Sequence, residues 1–169
     1  MDGRRASGRS SRLSARRVPP HVLAQLMAKG AEDAYKVILL KDVIASDLNL
    51  AVSFLPVQGK ADMGGGLIWR AADDRNYYLA RANPLEQNIR VYRVEKGIRR
   101  LLQNFNQTIT LKQWHTLRIT HQGCRVKIFY DDKQTIDLCE ETFHAEMIGL
   151  WTKSNAVTYF DDLHLQQLK

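Results

Sequence analysis

The sequence predicts an all-β protein built as an antiparallel β-sandwich. Apolar residues recur mostly at every second position rather than at helical spacing. Turn signals separate the apolar runs at about the interval of sandwich strands. The stretch from Gly64 to Val94 reads as three short strands joined by polar turns. A chain of 169 residues is most simply one domain with a sizeable core, here expected over 19–169 behind a disordered basic tail at 1–18.

The segment HVLAQLMAKGAEDAYKVILLKDV (21–43) supports two local readings. Val22, Leu23, Leu26 and Met27 fit a helical stripe that Gly30 would cap, whereas KVILLKDV is apolar and partly β-branched, as a buried strand is. In DLNLAVSFLPV, Leu48, Leu50, Val52 and Phe54 alternate with Asn49, Ala51 and Ser53, the pattern of a half-buried strand. Gly64, Gly65 and Gly66 lead into the next strand without a following helix or a Lys-Ser/Thr pair. They therefore mark close backbone approach or a bulge rather than a phosphate cradle.

HTLRIT (115–120) points Leu117 and Ile119 inward. RVKIFYDDKQTIDL (125–138) is a hairpin about Asp131-Asp132, with Asp132 where glycine is preferred and aspartate is tolerated. EMIGLWTK (146–153) and AVTYFDDLHLQQL (156–168) close the pattern, with Asp161-Asp162 read as a turn before the last strand. In the hairpin, Val126, Ile128 and Tyr130 share a side with Ile136 and Leu138. Cys124 has their parity and Cys139 the opposite one, so the thiols are expected on opposite faces and unpaired. On that reading they say little about compartment.

The net charge of +7 is concentrated in the tail, where residues 1–17 carry six Arg and one Asp. The remaining chain is nearly neutral, so the folded part lacks the basic footprint of a nucleic-acid binder. The tail itself fits an organellar targeting peptide, a stretch without a role, or a weak electrostatic anchor. It has no apolar h-region of the secretory kind, and no run reaches the ~18 apolar residues of a membrane span. The localisation is left open.

The chemistry-bearing residues cluster in GGGLIWRAADDRNYYLARANPLEQNIRVYRV. Arg70, Arg81, Arg90 and Arg93 supply planar donor forks that pair with carboxylates or bridge adjacent hydroxyls, and Asn83 adds an amide. Tyr77, Tyr78, Tyr92, Trp69 and Trp151 supply flat faces that pack on apolar ring surfaces. Trp69 and Trp114 suit packing positions. Trp151 suits a ligand platform, because Ile148 and Leu150 claim the inward side, and Lys153 shares its parity. The competing reading pairs each Arg with a cross-strand acid such as Glu86, Asp73 or Asp74. No acid cluster forms a glycosidase strand motif, and the five histidines show neither zinc spacing nor a nucleophile-elbow partner. No cofactor or metal site is expected.

Taken together, the blocks from GGGLIWR through GIRRLL, then WHTLRI, the D-x-K hairpin and IGLWTKSNAVTYFDDLHL, resemble the concanavalin A-like jelly roll. The branch they resemble is the 3-keto-disaccharide hydrolase type, with laminin-G-like relatives. The resemblance spans about 22–165. It implies two curved antiparallel sheets with a concave face that binds sugars in many relatives, and it favours strands in 21–43. Such domains usually begin with a further strand that the basic tail replaces here, so a free edge open to dimerisation is expected. The resemblance carries Arg70, Tyr78, Arg81, Asn83 and Trp151 over as site residues. With Arg90, Tyr92 and Lys153 they form the expected saccharide site on the concave face. The alternatives are a glycoside hydrolase using acids such as Glu86 or Asp74, and a laminin-G-like protein-interaction module.

Overall fold

A computed structural model describes residues 22–26, 34–43, 45–145 and 147–169. The basic tail and the residues around Gly30 lie outside that set. Among the described residues there are twelve strands: β1 (Leu23–Gln25), β2 (Tyr35–Leu40), β3 (Leu48–Gln58), β4 (Gly65–Asp73), β5 (Asn76–Asn83), β6 (Asn88–Glu95), β7 (Ile98–Asn106), β8 (His115–Gln122), β9 (Arg125–Tyr130), β10 (Lys133–Cys139), β11 (Met147–Lys153) and β12 (Val157–Gln167). They form two six-stranded antiparallel sheets, ordered β1-β12-β3-β8-β9-β10 and β2-β11-β4-β5-β6-β7. Among the described residues no helix is long and apolar enough to cross a membrane.

The period-two pattern accounts for the core directly. Leu48, Leu50, Val52 and Phe54 of β3, with Leu117, Ile119, Val126 and Ile128, face Leu67, Trp69, Tyr78, Ala80, Ile89, Val91, Ile148 and Leu150 of the second sheet. The alternate residues of that sheet form a second apolar set on its outer face: Ile68, Tyr77, Leu79, Tyr92, Val94 and Trp151. The second sheet therefore buries side chains on both faces. Two glycines adjust its spacing. A Cβ on Gly65 would lie 2.5 Å from the Phe160 ring of the facing sheet, and one on Gly66 would lie 2.5 Å from the Ala80 carbonyl oxygen. This is the close approach that the glycine run predicts.

Several expectations need correction. KVILLKDV does not form a buried strand: β2 is the edge of its sheet, and Ile38 and Leu40 are exposed there. Asp161-Asp162 is not a turn but a bulge within β12, where the pairing with β3 shifts and Asp162 has φ 51°. Strand β7 leaves little trace in the sequence, because Arg99 and Arg100 interrupt the apolar alternation of IRRLLQNFN.

The cysteines are also paired, Cys124 with Cys139, their Cα atoms 4.7 Å apart. The hairpin register is the expected one, with Val126 opposite Leu138 and Ile128 opposite Ile136. Cys124 escapes the parity of the apolar set because it precedes β9, in the turn after Gly123, where pleat alternation does not hold. The thiol is free to reach the diagonal neighbour.

A polar cluster seals one end of the core. The indole N–H of Trp69 donates to His121 Nδ1 at 2.9 Å, and His121 Nε2 donates to the Glu140 carbonyl at 3.0 Å. Burial, followed by the nearby Arg70 charge, lowers the His121 pKa to about 4. An unfolded chain binds a proton there near the ordinary histidine value, while the folded chain does not. The contribution is complete above about pH 6.5 and declines as pH falls towards 4. Chemical denaturation should show a loss of about 2–3 kcal/mol from this group between pH 7 and 4.5. An NMR titration placing the His121 ring near its ordinary pKa would contradict this.

Candidate functional site

The eight residues expected in the site divide between two places. Arg70 and Tyr78 belong to the sealed end of the core. In a regular strand Arg70 would share the outer face with Ile68, but the β4–β5 pairing shifts after Trp69 and Arg70 adopts φ 45°. The bulge re-aims the side chain around the end of the sheet. There the fully buried guanidinium donates to the carbonyls of Ser46 (2.8 Å), Phe143 (3.2 Å) and Gly123 (3.2 Å) and to Asp47 Oδ1 (3.0 Å). Tyr78 points into the core, donates to Glu140 Oε1 at 3.1 Å and accepts the Phe143 N–H at 2.9 Å. Both residues tie loops together, and neither faces a ligand surface.

The other six share the outer face of the second sheet. Register explains why: Arg81 lies opposite Arg90, Asn83 opposite Asn88, and Leu79 opposite Tyr92 across β5 and β6. Gly66 lies opposite Arg81 on one side and opposite Trp151 on the other. Trp151 thus takes the expected outward direction. It is only 1 % exposed, however, so it is not the open platform predicted for it.

Glu86 organises the polar part. Arg81 Nη2 lies 3.0 Å and Arg90 Nη1 2.8 Å from its Oε2, and Asn88 Nδ2 donates to the same oxygen at 3.2 Å. Arg81 also donates to Asn88 Oδ1 (3.2 Å) and to the Tyr92 hydroxyl (3.3 Å), while Arg90 donates to Asn104 Oδ1 (2.8 Å). Asn83 shapes the β5–β6 turn by accepting the Leu85 N–H at 2.9 Å. Its amide nitrogen donates to Asp62 Oδ1 (3.2 Å) and Glu86 Oε1 (3.4 Å). Arg81 is 2 % exposed, whereas the side chains of Arg90 and Glu86 are 31 % and 40 % exposed. The cluster therefore has a rigid floor and an accessible rim.

The two carboxyls of this cluster differ in electrostatic character. Burial pushes the Asp62 pKa up, against the lowering pull of Arg81 and Lys153. Partial burial also acts to raise Glu86, but its bonds to Arg81 and Asn88 and the charge of Arg90 outweigh it and hold the carboxyl below its usual range. Glu86 stays ionised and partly open to solvent, while Asp62 is 4 % exposed beneath Asn83. Among the described residues no group of His, Cys, Asp or Glu is arranged to hold a metal ion.

Sequence reasoning missed Asp62 and Asn88 and assigned Glu86 only to pairing or catalysis. Asn88 was within reach, since it has the parity of Arg90 and Tyr92. Asp62 carries no such signal, because it comes from the loop before β4.

No family model matches the chain. Over 113 residues it is 24% identical to a levanase of Bacillus subtilis; the match covers 66% of this chain but only 17% of that much longer protein. Among solved structures it resembles the carbohydrate-binding module CBM66 of Bacillus subtilis, with TM-score 0.75 and 23% identity over 82% of this chain and 85% of that one. A Bacillus subtilis protein of unknown function with a galectin-like fold aligns at TM-score 0.66 and 10% identity, covering 88% and 83% of the two chains. The galectin LEC-6 of Caenorhabditis elegans aligns at TM-score 0.55 and 13% identity, covering 84% and 95%. These likenesses establish the jelly-roll β-sandwich fold.

Proposed function

We propose that this chain is a carbohydrate-binding domain whose polar grip is the Glu86-centred cluster on the outer face of the second sheet. The observation that carries the reading is the convergence of Arg81, Asn83, Glu86, Asn88, Arg90 and Tyr92 on one patch with a partly open carboxylate and guanidinium at its rim. A carboxylate accepts from two neighbouring hydroxyls, and an adjacent guanidinium donates to their oxygens, so the pair matches a vicinal diol. The sandwich shared with a carbohydrate-binding module and galectins supports the same reading by analogy of fold.

Binding without hydrolysis fits the cluster better than catalysis. A glycosidase sets two carboxyls on either side of the scissile bond. Here Asp62 is enclosed beneath Asn83, and Glu86 is the accessible carboxylate of the pair. The likeness to a levanase makes a fructan the first ligand class to examine.

Isothermal titration against levan, levan-derived fructo-oligosaccharides and lactose tests the proposal. One of these should bind, and Arg90→Ala, at a rim position, should weaken that binding about tenfold or more without lowering the melting temperature appreciably. Undiminished affinity in Arg90→Ala, or no binding across the panel by the unaltered protein, would refute it.

A further inference from the structure

Beside the polar cluster lies a group of aromatic rings closed over by one arginine. Arg99 stands on β7 and Tyr35 on β2, the two opposite edges of the second sheet. Four strands separate them, and in a flat sheet with strands ~4.8 Å apart their backbones would be more than ~20 Å distant. Yet the Arg99 guanidinium carbon lies 5.4 Å from the Tyr35 ring centre, 4.4 Å from Tyr92 and 5.8 Å from Trp151. The sheet must therefore curl, and side chains from its two edges meet over the middle strands. Ile68, Tyr77 and Leu79 are wholly buried beneath them.

This closure leaves polar atoms unanswered. Arg99 Nη1 is buried without a hydrogen-bond partner among the described residues, as is Arg81 Nε nearby, while the likewise buried Tyr77 Oη and Trp151 Nε1 have at most a long contact with each other. Buried polar atoms in folded proteins are rarely left so, and a cluster of them on one face calls for an explanation. Burial raises the Tyr77 phenol pKa to about 12, against the lowering pull of its contact with the Trp151 indole N–H and of the Arg99 charge. Arg99 itself makes no ion pair among the described residues; three aromatic rings are what hold it in place. Such a contact is readily exchanged for another flat, partly apolar surface.

Tyr92 links this trough to the polar cluster. Its hydroxyl accepts from Arg81 and Arg90 at 3.3 and 3.5 Å, while its ring lies under Arg99. A ligand held at Glu86 would extend along Tyr92 towards Trp151. We propose that the aromatic trough is a second saccharide subsite and that Arg99 is the lid a second ring displaces. The inference rests on the carbohydrate reading given above. It defines the ligand class as an oligosaccharide of at least two units, with one ring at Glu86 and the next stacked on Tyr92 and Trp151. The hydroxyls of that second ring supply partners to Tyr77 Oη and Trp151 Nε1.

The test compares fructose with levan-derived oligosaccharides of two to five units by isothermal titration, with galactose and lactose as a parallel pair. For the pair that binds, affinity should rise at least tenfold from one unit to two and change little beyond. Arg99→Ala should tighten the two-unit ligand several-fold, because the lid no longer has to move, and leave the single sugar unchanged. Tyr77→Phe, which keeps the buried ring, should lose most of the two-unit gain and leave the single sugar unchanged. Equal affinity for one and two units in the unaltered protein would overturn the second subsite while leaving the polar site standing. So would a gain that survives in Tyr77→Phe. If the unaltered protein binds none of these sugars, both readings fall together.

Discussion

Replacing Arg70 by alanine is expected to destabilise the fold by about 3–5 kcal/mol, the cost of breaking a buried ion pair by removing one partner. For a chain of this size that lowers the melting temperature by on the order of 10 °C. The side chain joins four separate acceptors, from Ser46, Asp47, Gly123 and Phe143, and it does so from a left-handed bulge. Without it, three backbone carbonyls and one carboxylate at the end of the sandwich lose their donor together. Lysine should rescue little, because one ammonium cannot span acceptors lying in several directions. Sugar affinity, measured well below the melting transition, should be unaffected. A melting temperature unchanged in Arg70→Ala alongside lost sugar binding would reverse the assignment and return Arg70 to the ligand site.

The second large effect is expected at Glu86. Glu86→Gln keeps the shape but removes the charge that two guanidiniums share, at 3.0 Å from Arg81 and 2.8 Å from Arg90. Arg81 is almost fully buried, so its charge then lacks the carboxylate that compensates it. A stability loss of about 2–3 kcal/mol follows, less than for a fully buried pair because Glu86 is partly exposed. Binding should fall further, by fifty-fold or more, since the variant alters both the ligand's acceptor and the orientation of the arginines. Glu86→Asp should retain most of the stability but little of the affinity, because the shorter side chain keeps the charge and withdraws it from the rim. Calorimetric melting and titration on the same samples separate the two effects. Affinity retained in Glu86→Gln would remove this carboxylate from the proposed contact.

Most of the strands were legible in the sequence because half-buried strands write their burial as alternation. Leu48, Leu50, Val52 and Phe54 in β3, and the Val126/Leu138 register of the hairpin, follow from that rule alone. Asp132 adopts the left-handed conformation expected of it, at φ 66°, and Asp131 beside it does the same at φ 45°. The rule gave out wherever the pleat is interrupted. The bulge at Arg70 turned an outward residue to the sheet end, and the turn at Gly123 released Cys124 from its parity. β7 stayed hidden because an edge strand tolerates adjacent charges that a central strand would not.

Alternation by itself determined that Trp151 and Lys153 share a face, since Ile148 and Leu150 claim the other, and strand pairing added Arg81, Asn83, Arg90 and Tyr92 to that face. Tertiary structure decided what that face contains. Asp62 arrives from a loop with no periodicity, Glu86 binds two arginines brought side by side by strand pairing, and Arg99 meets Tyr35 from the opposite edge. Those contacts depend on register between strands and on the curl of the whole sheet. Neither is written in any single strand, because each is set by how six separate segments pack against one another.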